Sequence, residues 1–241
     1  MIKFFRKIRQ PLLSEGKIKK YLKYAVGEIV LVFIGILIAL QLNEWNRKIQ
    51  DLKLSTLYYQ ELLRDVENDV KQLTGRIERS QLTKLSIDSL ISSLQNKTYG
   101  QADQKILQRA FNSYYRVPGW QLNLNTYNEL ESSGNLKYIS NNEIRDAISE
   151  YANAIKAASI VRERYSEDII SRAFHIDKYV FTKITDDRLI SIIDFEGLAN
   201  DQHIINYLSR IAIRWDNNRS SFEGLKRRAQ RIEKSILVQL E

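Results

Sequence analysis

Residues 24–46 read YAVGEIVLVFIGILIALQLNEWN, and this run decides how the chain is built. From Ala25 to Leu40 the only strongly polar residue is Glu28. With Tyr21, Tyr24 and Leu42 the run reaches the ~20 residues that a helix needs to cross the hydrocarbon core of a bilayer. A buried helix of a soluble protein would keep one polar face, and Ile29–Leu40 has none. A cleaved signal peptide fits poorly, because the stretch exceeds the usual ~7–15 apolar residues and Ala39-Leu40-Gln41 offers no small-x-small cleavage site. The expectation is a transmembrane helix over 24–44, retained as an uncleaved anchor.

Charge sets its orientation. The tail 1–23 carries Lys3, Arg6, Lys7, Arg9, Lys17, Lys19, Lys20 and Lys23 against Glu15 alone, so eight cations and one anion leave +7 of the chain's formal +8 here. Cytoplasmic flanks are enriched in Lys and Arg, which places the N-terminus in the cytoplasm and residues 45–241 outside it. The high pI then marks contacts with lipid headgroups, each basic residue contributing ~1 kcal/mol, and excludes nucleic acid as the partner it would otherwise suggest. Ile2, Phe5 and Ile8 share one helical face, as in a short interfacial helix that Pro11 ends; a solvated basic tail is the alternative. Two dozen residues cannot house an output domain, so a signal crossing the membrane would need a partner.

Glu28 lies one turn beyond Tyr24, about 6 Å inside the interface at ~1.5 Å per residue, where headgroups, water or a tail lysine can reach its carboxylate. A polar contact between helices, with Gln41 as a second intramembrane polar group, is the sharper reading. Gly27, Leu31, Gly35 and Ala39 follow at four-residue intervals, and Gly35-x-x-x-Ala39 permits close helix approach. That face points to self-association. Trp45 is the aromatic marker of the outer interface.

Beyond Trp45 a three-four apolar repeat runs through Ile49, Leu52, Thr56, Tyr59, Leu63, Val66, Val70, Leu73, Ile77, Ser80, Lys84, Ile87, Ile91 and Leu94. This predicts a long helix over about 45–96 with coiled-coil-like packing, projecting ~80 Å from the span, with Ser80 and Lys84 as weak points in its seam. A lone amphipathic helix is marginal in water. The C-terminal segment, about 201–240, supplies a matching seam at Leu208, Ile211, Trp215, Asn218, Phe222, Leu225, Ala229, Ile232 and Ile236. An antiparallel bundle follows, with Leu52–Tyr59 beside Ile232–Ile236 and Ile87 beside Leu208.

Middle helices are expected over about 101–173. Thr126-x-x-Glu129 and Ser140-x-x-Glu143 have capping-box form, Ile139 and Ile144 that of a hydrophobic staple, and Gly134 suits a left-handed helix stop. Asp186-Asp187 and Asn200-Asp201 are read as further helix starts. No period-two stretch long enough for a sheet stands out, so the expected fold class is all-α.

The blocks GEIVLVFIGILIALQLNEWN and NTYNELESSGNLKYISNNEIRDAISEYAN together resemble an uncharacterised bacteroidete family of single-span inner-membrane proteins, known only as a domain of unknown function. The similarity covers most of the chain and loosens after about Tyr165. It implies an inner-membrane, single-span protein, and it brings no catalytic residue, ligand or partner.

The chain has no cysteine, so a disulfide framework and thiolate chemistry are excluded. Its two histidines, His175 and His203, belong to no HExxH or H-x-x-x-H pair, and a surface or satisfied core position is expected for each rather than metal binding. No Walker A, GxGxxG or GxSxG pattern occurs. Tyr114, Tyr115, Trp120 and Tyr127 are read as ordinary bundle core, with a candidate ligand pocket between helices as the alternative. The expected function is a membrane-anchored extracytoplasmic interaction or scaffold protein, self-associating, without catalytic activity or cofactor. Its partners are the bilayer, a second copy and an unidentified membrane or periplasmic protein. A ligand-sensing bundle signalling through the span, or a subunit of a conducting assembly, are the alternatives.

Overall fold

A computed structural model describes residues 18–102, 104–113, 122, 124–185 and 188–241, and they form an all-α fold with one small hairpin. Helix α1 spans Ile18–Gln95, α2 Gln104–Phe111, α3 Asn125–Ser132, α4 Asn142–Asp177, α5 Phe195–Asn200 and α6 Gln202–Leu240. A 3-10 turn at Asn135–Tyr138 precedes α4, and β1 (Val180–Thr185) and β2 (Arg188–Ile193) follow it. Two compact units divide the chain, Met1–Ser55 and Thr56–Glu241.

In the first unit, every residue from Ile29 to Lys48 is exposed. The second unit buries its apolar residues in two clusters. One holds Tyr59, Leu62, Val66 and Leu73 of α1, Ile144, Ile148, Tyr151 and Ile155 of α4, and Phe222, Leu225, Ala229, Ile232 and Ile236 of α6. The other holds Ile87, Leu90 and Leu94 of α1, Leu107 and Phe111 of α2, Ile176 of α4, and Ile204, Leu208, Ile211 and Trp215 of α6. The Tyr59–Leu73 part of α1 therefore shares a cluster with late α6, and late α1 shares one with early α6, so these helices run antiparallel while α4 runs with α1. After α1 ends, α2 lies in the second cluster, whereas Leu122, Tyr127, Leu130 and Ile139 lie in the first; this return brings the chain to the start of α4.

The seam of α1 differs in phase from the expected one. Leu62, Asp69, Thr83 and Leu90 are buried, and Leu63, Val70, Lys84 and Ile91 only half-buried. At Asp69 an apolar repeat points to the neighbouring Val70, although the acid is the more deeply buried of the two. Ser80 is buried as expected and lies between the stretches of α1 assigned to the two clusters, while Lys84 turns to Asp88 at 2.5 Å.

Helix ends also depart from the capping boxes. Leu124 precedes α3 without a side-chain cap, and Thr126 lies inside the helix, where its N–H and hydroxyl both donate to Asp65 Oδ2 at 3.1 and 2.8 Å. An acid on α1 thus satisfies the α3 terminus, which a local sequence motif cannot reveal. Asn141, not Ser140, caps α4, its Oδ1 accepting from the Glu143 and Ile144 amides. Ile139 and Ile144 are both buried in the first cluster. Gly134 does follow α3 in the left-handed region, at φ +70°. Asp201 caps α6 as read, but the segment after Asp186-Asp187 is β2 rather than a helix. The strands pair antiparallel from Val180 with Ile193 to Thr185 with Arg188. Val180 and Ile193 pack against the second cluster, and Phe181 and Ile192 are exposed.

Candidate functional site

Three places could carry function. The first is the apolar stretch of α1, the one helix among the described residues long and apolar enough to cross a membrane, with none of its apolar window buried. A Cβ added at Gly27 or Gly35 would meet nothing within 4 Å, and Leu31 and Ala39 are exposed, so the small-residue face is open along its length. Glu28 is half-exposed and Gln41 exposed. Of the proposed headgroup contacts, Lys23 is exposed; Lys19 and Lys20 lie in α1, and Lys3, Arg6, Lys7, Arg9 and Lys17 fall outside the described residues.

The second is the aromatic group. Tyr114, Tyr115 and Trp120 also fall outside the described residues, whereas Tyr127 is buried in the first cluster, its hydroxyl donating to Glu131 at 3.1 Å. The same cluster holds a fully buried acid: Tyr151 donates to Asp69 Oδ2 at 2.9 Å, and burial, then the Asp69 charge, pushes the tyrosine well above its ordinary range. The pair fixes α4 against α1 through the middle of an apolar cluster.

The third place is a cleft of about 390 Å³ between the end of α4 and the start of α6. It brings together both histidines, which lie 28 positions apart, with Arg172, Lys178, Asn206 and Arg210. Its frame is well tied. Tyr207 OH donates to the Ile169 carbonyl at 3.2 Å, and burial pushes this phenol up to about 12. Asp168 accepts from Arg172 Nε at 2.7 Å and from Arg214 Nη2. Burial alone would raise the Asp168 carboxyl, but hydrogen bonds and charge from Arg214 and Arg172 outweigh it and hold the group below its usual range. Asp201 accepts from Lys178 at 2.8 Å, from Tyr179 OH at 2.6 Å and from the His203 amide at 3.0 Å. The lysine bond, then the tyrosine bond, press its carboxyl far below the ordinary value.

The side chains of His175, His203 and Arg210 have no partner among the described residues, and no group of three or more His, Cys, Asp or Glu there could hold a metal ion. In the sequence each histidine stands alone. The spacing Asp168, Arg172, His175 and His203, Tyr207, Arg210, Arg214 does place one face of each helix in register. Their meeting depends on the antiparallel pairing.

Comparison with curated proteins and with solved structures finds no match. Residues 28–166, more than half of the chain, match the family described as Family of unknown function (DUF6090). The match begins at Glu28 within the apolar stretch and ends at residue 166, close to where the blocks quoted above give way to looser similarity. This chain belongs to the DUF6090 family.

Proposed function

We propose that the protein is a membrane-anchored helical interaction or scaffold subunit, with the N-terminus in the cytoplasm, a span over 24–44, and the bundle on the periplasmic face of the inner membrane. It self-associates and has no catalytic activity of its own. The observation that carries this reading is the exposure of α1: Val26, Ile29, Val30, Leu31, Val32, Phe33, Ile34, Ile36, Leu37, Ile38 and Leu40 are all open. In water such a surface, at ~25 cal/mol per Å², would be covered by another part of the chain or by a second molecule; in a bilayer it faces its natural solvent.

The basic tail gives the orientation. A reporter active only outside the cytoplasm, fused after Glu241, is expected to be active, and one that folds only in the cytoplasm to be silent there. The reverse pattern would overturn the orientation and with it the periplasmic location. A ligand-sensing role is the second reading, favoured by the cationic cleft between α4 and α6.

A further inference from the structure

We propose that the cleft between the end of α4 and the start of α6 binds a small phosphate monoester. The idea rests on the ligand-sensing reading only for its consequence. Its failure would leave the anchored bundle, which the reporter fusions test, untouched.

The donors outnumber the acceptors. Arg172, His175 and Lys178 come from one side, and His203, Asn206 and Arg210 from the other. Among the described residues the cleft has a single carboxylate, Asp201, and its two oxygens already accept from Lys178, Tyr179 and the His203 amide. The α6 terminus is thereby capped, so the site is made by side chains rather than by the helix end. Arg172 uses only its Nε on Asp168, which leaves the outer fork of its guanidinium, all of Arg210 and both imidazoles without a partner among the described residues.

A carboxylate ligand would present two oxygens to this set. A phosphate monoester presents three, with a charge near −2 at neutral pH because its second pKa is about 6. Guanidinium forks match phosphate oxygens two at a time, and each such bond is charge-assisted. The cleft is also larger than the anion. Its volume, about 390 Å³, falls in the range of small-molecule sites, ~300–1,000 Å³. Ile204 and the Tyr207 ring form its largely buried floor, with the Tyr207 hydroxyl already engaged by Ile169, so an organic remainder would meet an apolar edge there rather than further donors.

The test uses the full-length protein in detergent, titrated with glycerol 3-phosphate, inorganic phosphate and glycerol, and read by calorimetry and by melting temperature. Glycerol 3-phosphate is expected to bind and to raise the melting temperature with the logarithm of its concentration, while glycerol does neither. Arg210→Gln and His203→Gln should each weaken binding about tenfold or more, as loss of a charge-assisted bond implies. Both side chains are exposed and have no partner among the described residues, so these variants should keep the fold, and Lys226→Gln, three turns or more along α6, should bind normally. In nanodiscs, competition by phosphatidic acid would identify the phosphomonoester as a lipid headgroup, and its failure to compete would identify a soluble ligand; either supports the site. Absence of any response to glycerol 3-phosphate, an equal response in Arg210→Gln, or inorganic phosphate binding as tightly as the ester would overturn the proposal.

Discussion

Tyr151 and Asp69 show what a single polar pair does inside an apolar cluster. Both are almost completely buried, and the phenol donates to the carboxylate across the α1–α4 contact. Tyr151→Phe keeps the ring and removes the donor, leaving a buried carboxylate short of a bond. The expected cost is about 1–3 kcal/mol, read as a lower denaturant midpoint with an unchanged slope. Asp201 makes a different prediction, because its effect depends on pH. Its carboxyl lies lower in the folded chain than the ~3.9 of an unfolded Asp, so the unfolded state takes up the proton first. The stabilisation is therefore full above that unfolded value and is lost as pH falls toward the folded one. Asp201→Asn retains an N-cap but loses the charge paired with Lys178. The variant should be less stable than the parent at pH 7 and should converge with it in acid. A constant difference between their melting temperatures from pH 7 to acid would contradict this assignment.

At the level of elements, the span makes the sharpest prediction. Gly35 lies on the open face with Gly27, Leu31 and Ala39, and nothing within 4 Å would obstruct a side chain there. Gly35→Leu is thus harmless to the isolated helix and would act only where a second helix comes close. It should weaken self-association in membranes, whereas Val32→Leu should not; equal oligomer stability in the two would leave the glycines without a packing role. Legibility followed the same physics. Long periodic seams are strong signals, and α1 and α6 were readable because both repeat over many turns. The hairpin was not, since Val180–Thr185 and Arg188–Ile193 are short, and the Asp186-Asp187 pair between them suits a helix start as well as a turn. Asp65 could not be recognised as the acid at the α3 terminus, because it lies 61 residues away from Thr126. The cleft was hidden for the same reason: its residues come from two helices, and only their pairing makes His175 and His203 neighbours in one site.

For the whole second unit, the order of burial implies that α6 runs back along the direction of α1, and this is open to direct test. Tyr59, Leu62 and Val66 share a cluster with Ile232 and Ile236, while Ile87 and Leu90 share one with Ile204 and Leu208. Both seams are long, and neither can stay in water. Pairing within the chain needs no second molecule, and it predicts that contacts along α1 read backwards along α6. With no native cysteine to compete, introduced thiols report this cleanly. Leu63→Cys combined with Glu233→Cys places one thiol on α1 and one on late α6, both at the level of the first cluster. A short bifunctional reagent should join them within a monomer. Leu63→Cys combined with Ser209→Cys should not react in the same way, because Ser209 lies beside Leu208, at the level of the other cluster. A disulfide-length link also constrains geometry, since Cα atoms more than ~7 Å apart cannot be bridged without backbone movement. The alternative is a parallel stalk of first helices from separate chains. There the single Leu63→Cys variant would give crosslinked dimers efficiently while the intrachain pair failed, and that outcome would exclude the antiparallel bundle.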